Sequence, residues 1–231
     1  MTLAQTAYEE LRWDIISGVL RPCQPLRLEQ LKSRYNIGFS PLREALNRLH
    51  SERLVSSVAL KGFNVASLSL SDMWDAIDTR ILIETDALKR AIEYGDDEWE
   101  TKIVANFHAL TLQMKRNENR KLNNEKIDWR SMENRHRAFH TSLISACRSN
   151  WLLDFAEKLV VETERYRFPS LSRLQNFPDS RDIEHEHKEI MAFTINRETA
   201  KAVDLLTHHY QTTGRFLEEQ FKDNIEIELN T

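Results

Sequence analysis

The 231-residue sequence holds only two cysteines, five glycines and five prolines, and each scarcity excludes a class of structure. Cys23 and Cys147 are too few and too far apart to suggest a disulfide framework or a zinc knuckle. Six of the ten glycines and prolines stand before Leu70, so the rest of the chain has little to interrupt a helix. No apolar run approaches the ~20 residues that span a bilayer. The first ten residues lack the basic and apolar stretches of a secretion signal, which points to a cytoplasmic protein with no membrane partner.

Charge is unevenly spread. Residues 1–66 carry nine Lys/Arg against six Asp/Glu, whereas the remainder carries 23 against 30. A mildly basic head on an acidic body suits a phosphate-binding module attached to a second domain.

The head reads as three short helices and a hairpin. Tyr8, Leu11, Ile15 and Ile16 recur at helical spacing, and Gly18 closes the helix. After the turn Arg21–Pro25, Leu28, Leu31 and Tyr35 line a second helix, Leu28 to Tyr35, which Asn36 and Gly38 break. Ser40 is expected to cap a third helix, with Pro41 at its first position and Glu44 completing a capping-box-like arrangement. Its apolar stripe of Leu42, Ala45, Leu46 and Leu49 leaves Arg43, Asn47 and Arg48 outside. Residues Val55 to Val65 alternate around Lys61-Gly62, which predicts a two-stranded wing. A tight turn before an Arg- and Asn-bearing helix is the geometry that lays a recognition helix in the major groove of double-stranded DNA. Ser40, Arg43, Asn47 and Arg48, with Lys61 and Gly62 in the wing, are therefore the expected DNA contacts.

In the body, Val65–Ser69 reads as a linker. Helices are expected at about 70–94, 96–117, 128–147, 150–167, 180–195 and 197–222, with a polar loop over 116–125 and an irregular stretch from Phe168 to Pro178. The first of these helices has Met73, Ile77, Ile81 and Leu88 on one face, with Arg80 and Glu84 on or beside it. Such a charged pair often forms no more than an i,i+4 contact. The alternative is an inward Arg80 whose planar fork clamps a ligand carboxylate.

The histidines say more. His136 and His140 are four residues apart on a helix and share the face of Met132, Phe139 and Leu143. His187 lies with Ile183, Ile190 and Met191, and His209 with Leu206 and Phe216, whereas His185 and His208 turn away. Four imidazoles aimed inward from three helices suit a divalent transition ion, zinc first and nickel second. A metal-dependent hydrolase with Glu84 as base is a rival reading, although a DNA-binding head is of no use to a hydrolase.

Several motifs carry a resemblance. Leu26-Arg27-Leu28-Glu29-Gln30-Leu31, Ser40-Pro-Leu-Arg-Glu-Ala-Leu46, Glu52-Arg-Leu-Val55 and Lys61-Gly-Phe-Asn-Val65 resemble the winged helix of GntR-type regulators. Gly38-Phe39-Ser40 stands where that family usually has Ser-Arg-Thr, and resembles the narrower carbon-starvation-induced (glutarate-catabolism) repressors. Arg80-x-x-x-Glu84, His136-x-x-Phe-His140, Glu164-Arg-Tyr-Arg167, Glu186-His187 and His209-Tyr210 resemble the FCD ligand domain of the FadR branch, with His136 at a metal position where many members have Asp. The resemblance implies a mainly α protein: a winged helix-turn-helix over residues 1–68 and an all-α helical bundle over 69–231. It implies a homodimeric repressor that responds to a small carboxylic acid, with Arg80, Glu84, Arg165 and Arg167 as effector contacts and His136, His140, His187 and His209 as metal ligands.

Overall fold

The computed structural model describes residues 2–58, 62–174 and 181–229. The chain divides into two compact units. One gathers the described residues of Met1–Ala76, Val161–Leu174 and Gln220–Thr231; the other gathers those of Ile77–Val160 and Gln175–Glu219.

The first unit begins with α1 (Leu3–Ile16), capped by the Thr2 side chain, which accepts from Gln5 N. Strand β1 (Pro25–Leu26), α2 (Leu28–Tyr35) and α3 (Phe39–Ser51) follow, then β2 (Val55–Val58) and β3 (Gly62–Val65). The strands form an antiparallel sheet in the order β1-β3-β2. The apolar stripes converge as their periodicity requires: Leu11 and Ile15 of α1, Leu31 of α2, and Leu42, Ala45, Leu46 and Leu49 of α3 are buried in one core. Tyr35 Oη donates to Asp14 Oδ2 at 2.6 Å and ties α2 to α1.

Two local expectations are corrected here. Helix α3 starts at Phe39, with Gly38 in extended conformation as its N-cap, so Ser40 lies inside the first turn and caps nothing. Pro41 is tolerated there because the first four N–H groups of a helix have no intrahelical acceptor. The wing also gains a third strand, since Pro25, read as the end of a turn, and Leu26 pair with Asn64 and Phe63. A two-residue strand is too short to show alternation.

The second unit is helical. It contains most of α4 (Leu70–Tyr94), α5 (Asp97–Leu122), α6 (Trp129–Ile144), the start of α7 (Asn150–Leu174), α8 (Ile183–Ile195) and most of α9 (Thr199–Leu229). The caps are local and chemical: Asp96, Asp128 and Asp182 each accept a backbone N–H of the helix they open. Helix α5 runs on to Leu122, through most of the tract expected to be a polar loop: Asn117 is buried, while Arg116 and Glu118–Lys121 face solvent. Helix α7 likewise continues past Phe168 and Pro169 to Leu174. Before that proline, Val161 joins the core of the first unit, and the rings of Phe168 and Trp13 meet edge to face at 5.0 Å. The end of the expected irregular stretch, residues 175–178, lies outside the described residues. Among the described residues no helix is long and apolar enough to cross a membrane.

Candidate metal centre and nucleic-acid interface

Helix α6 brings His136 and His140 to one face, α8 brings His187 and α9 brings His209. His140, His187 and His209 are buried and His136 is half-buried, and one ring nitrogen from each lies within 4.8 Å of all the others. His140 Nε2 is 3.2 Å from His136 Nε2 and 3.2 Å from His187 Nε2. His185 and His208 are exposed, as their helical positions predict.

Groups behind the imidazoles fix where their protons sit. Tyr210 Oη donates to Glu84 Oε2 at 2.5 Å, accepts from Arg80 Nη2 at 3.1 Å and lies 3.0 Å from His140 Nδ1. Burial, reinforced by the Glu84 charge, pushes the phenol well above the usual tyrosine range, so it keeps its proton. Because that single proton goes to Glu84, His140 Nδ1 must itself donate, which leaves the lone pair on Nε2. His209 is fixed in the same way, its Nδ1 lying 2.8 Å from Glu186 Oε2. Burial alone would raise Glu186, but hydrogen bonds from His209 and Arg181 and the Arg181 charge outweigh it and bring the carboxyl down to about 2. An ionised carboxylate only accepts, so Nδ1 of His209 carries the proton and Nε2 faces the cluster. Burial also pulls His209 down to about 4, so its imidazole is neutral at pH 7.

The donor set fits a transition ion. Four nitrogens at about 2.0–2.1 Å from a tetrahedral ion stand about 3.3 Å apart, close to the 3.2 Å spacings of His140. Carboxylate and phenol partners on the outer ring nitrogens are the usual means of orienting metal-binding imidazoles. Sequence reasoning missed these partners: Tyr210, Glu186, and Arg181, which donates to both Glu186 oxygens at 2.7 Å and to Thr213 Oγ1 at 3.0 Å. Glu186 and Tyr210 were detectable, since each adjoins a ligand histidine in the sequence.

Arg80 and Glu84 join this cluster as a buried pair, Nε to Oε1 at 2.5 Å, with the guanidinium 4.2 Å from the centre of the Tyr210 ring. Arg165 and Arg167, the other expected effector contacts, fall in the first unit. Arg165 is 3% exposed and donates to the linker carbonyls of Ala66 and Ser67 at 2.7 and 3.1 Å, and to Glu162. Ser69 N donates to Tyr166 Oη at 3.4 Å, and Arg12 pairs with the buried Glu164 at 3.4 Å. Glu164, Arg165 and Tyr166 thus secure α1 and the linker. Arg165→Ala would leave two carbonyls and a carboxylate without their donor. It is expected to lower stability by about 1–3 kcal/mol, seen as a reduced denaturation midpoint, with metal content unchanged.

On the head, Ser40, Arg43 and Asn47 are exposed on α3, and Arg43 makes no hydrogen bond or ion pair among the described residues. Arg43 shares an open groove of about 500 Å³ with Arg27, Gly62 and Asn64. Gly62 has φ +92°, a conformation that favours glycine, with nothing within 4 Å of where a Cβ would sit. Lys61 lies outside the described residues. Arg48 is exposed but engaged: its guanidinium lies 3.6 Å from the centre of the Tyr8 ring and donates to Gln5 Oε1 at 2.9 Å. Arg27 passed unnoticed in the sequence because only the sheet brings it beside Arg43.

A winged helix-turn-helix with an exposed arginine on its third helix, in one chain with a helical domain built around a polar cluster, defines a DNA-binding transcription regulator. The chain belongs to the bacterial regulatory proteins of the gntR family with an FCD domain, matching the gntR family over residues 3–65 and the FCD domain over residues 75–212. It is 35% identical to the HTH-type transcriptional repressor GlaR of Escherichia coli (strain K12), over 95% of this chain and 99% of that protein. It is 34% identical to the HTH-type transcriptional regulator BphR of Paraburkholderia xenovorans (strain LB400), over 92% of this chain and 84% of the relative. The solved structure of E. coli McbR/YncC shares the fold, with a TM-score of 0.79 at 18% identity over 96% of this chain and 99% of that one. These families and relatives are regulators and not enzymes, so the hydrolase reading finds no support.

Proposed function

We propose that the protein is a cytoplasmic, homodimeric repressor of a carboxylate-catabolic operon, released from its operator by a C4–C6 dicarboxylate such as glutarate. Residues 1–68 bind DNA and residues 69–231 sense the effector. His136, His140, His187 and His209 hold a divalent transition ion, zinc or nickel in class, which offers a Lewis-acidic position to a carboxylate oxygen. The observation that carries this reading is the union of the four-imidazole cluster with the buried Arg80–Glu84 pair through the single hydroxyl of Tyr210. Two cationic centres in one site, the ion and the Arg80 guanidinium, favour a ligand with two carboxylates, because each end then takes its own charge-assisted bond. A monocarboxylate leaves one centre desolvated without a new partner. The likeness to GlaR, a repressor, supports the negative sign of regulation. An effector shifts DNA binding only as far as it prefers one arrangement of the protein over the other.

Calorimetry of the metal-loaded full chain against glutarate, succinate and butyrate tests this. Glutarate is expected to bind at least tenfold more tightly than butyrate, and Arg80→Ala is expected to erase that margin. Equal affinities for glutarate and butyrate, or an Arg80→Ala protein with unchanged glutarate affinity, would contradict the two-point site.

A further inference from the structure

A second polar cleft lies in the helical unit, between the C-terminal half of α5 and the start of α6. It encloses about 370 Å³ and is lined only by polar residues, among them Gln113, Arg116, Arg120, Asp128, Ser131 and Arg135. The spacing explains the convergence: Arg116 and Arg120 are four apart on α5, Ser131 and Arg135 four apart on α6, so each pair shares a face. Three arginines and one aspartate therefore line the same cleft. The local sequence is cationic too, with eight Lys/Arg against four Asp/Glu between residues 115 and 137, in a body that is acidic as a whole.

The cleft is held in shape from behind. Gln113, 6% exposed, donates to Asn117 Oδ1 at 3.1 Å, and that same oxygen accepts Asp128 N at 3.2 Å. Asn117 Nδ2 reaches Asp128 O at 3.4 Å, and Arg120 Nη1 donates to Lys126 O at 3.1 Å. Asp128 is committed to capping α6, accepting from Ser131 N at 3.0 Å. Arg116 and Arg135 make no hydrogen bond or ion pair among the described residues. Arg116 and Arg120 are like charges four residues apart, an arrangement that destabilises a helix, and the guanidiniums of Arg116 and Arg135 are left open to an anion in a preformed cleft.

We propose that this cleft binds the phosphate group of a small phosphorylated sugar or polyol. Three arginines against one aspartate leave a net charge of about +2, which matches a phosphomonoester of about −1.5 to −2 at pH 7. Guanidinium forks suit its oxygens bidentately. The volume lies within the range of ligand pockets, about 300–1,000 Å³, and exceeds what a lone phosphate fills. With no apolar wall, the remaining space suits hydroxyls, for which Ser131 and the amides of Gln113 and Asn119 are partners. The site shares no residue with the histidine cluster and stands independently of the proposed dicarboxylate.

Calorimetry on the full-length protein decides this, using glucose 6-phosphate, inorganic phosphate and glucose at constant ionic strength. Glucose 6-phosphate is expected to bind once per chain and more tightly than inorganic phosphate, while glucose gives no heat of binding. In Arg116→Ala/Arg135→Ala, both side chains being exposed, the melting temperature is expected to hold while affinity falls at least tenfold; His187→Ala is expected to bind as the wild type does. Absence of saturable binding, unchanged affinity in the double variant, or loss of binding in His187→Ala would each overturn the site. Glucose 6-phosphate binding no more tightly than phosphate, or a non-operator DNA duplex displacing it, would overturn the assigned ligand class.

Discussion

Replacing His187 with Ala is expected to reduce bound metal from about one ion per chain to a small fraction of that, whereas His185→Ala leaves it unchanged. The two histidines are neighbours on α8 but face oppositely: His187 is 1% exposed and its Nε2 sits 3.2 Å from His140, while the exposed His185 meets Glu189 at 3.6 Å. Removing one of four ligands opens the site and removes a bond that holds the ion, so the loss exceeds the 10–100-fold effect typical of an outer partner. Elemental analysis of protein purified without chelator or affinity-column nickel measures it. Equal losses in both variants would mean that the ion is not held at this cluster.

The second large effect concerns DNA. Arg43→Ala is expected to weaken specific operator binding by roughly 5- to 150-fold, equivalent to the about 1–3 kcal/mol of a bidentate base contact, with the fold unaltered. The expectation rests on an exposed guanidinium with no internal bond on the helix that faces outward from the head core. Arg48→Ala is expected to behave differently. That side chain covers the Tyr8 ring and holds Gln5, so its loss loosens α1 against α3 before it touches any base. Footprinting of the two variants on the protein's own promoter separates these roles; an Arg43→Ala protein that protects the promoter at wild-type concentration would remove α3 as the reader.

These contrasts show what a sequence can and cannot convey. Periodicity placed α2 at Leu28–Tyr35 and α4 at Leu70–Tyr94, and it turned His187 inward and His185 outward, because burial on a helix follows a period of 3.6 residues. Periodicity is blind to contacts between segments distant in sequence. Pairing of Pro25–Leu26 with β3, of Arg165 with the linker carbonyls and of Arg48 with Tyr8 depends on tertiary approach. The resemblance implied Arg165 and Arg167 as effector contacts; the stretch of α7 that carries them belongs to the first unit. Polarity also misled: Arg116–Lys121 looked like a loop because a largely solvent-facing helical turn and a loop have the same composition, and the burial of Asn117 depends on α6.

In the proposed function, one polar cluster assembled around four histidines makes DNA binding responsive to a dicarboxylate. Fluorescence anisotropy of a labelled promoter fragment, titrated with metal-replete protein at rising glutarate, tests it most directly. The apparent Kd for DNA is expected to rise at least tenfold at saturating glutarate in the wild type and to stay constant in His187→Ala. A wild-type Kd indifferent to glutarate, or an equal rise in His187→Ala, would contradict the account.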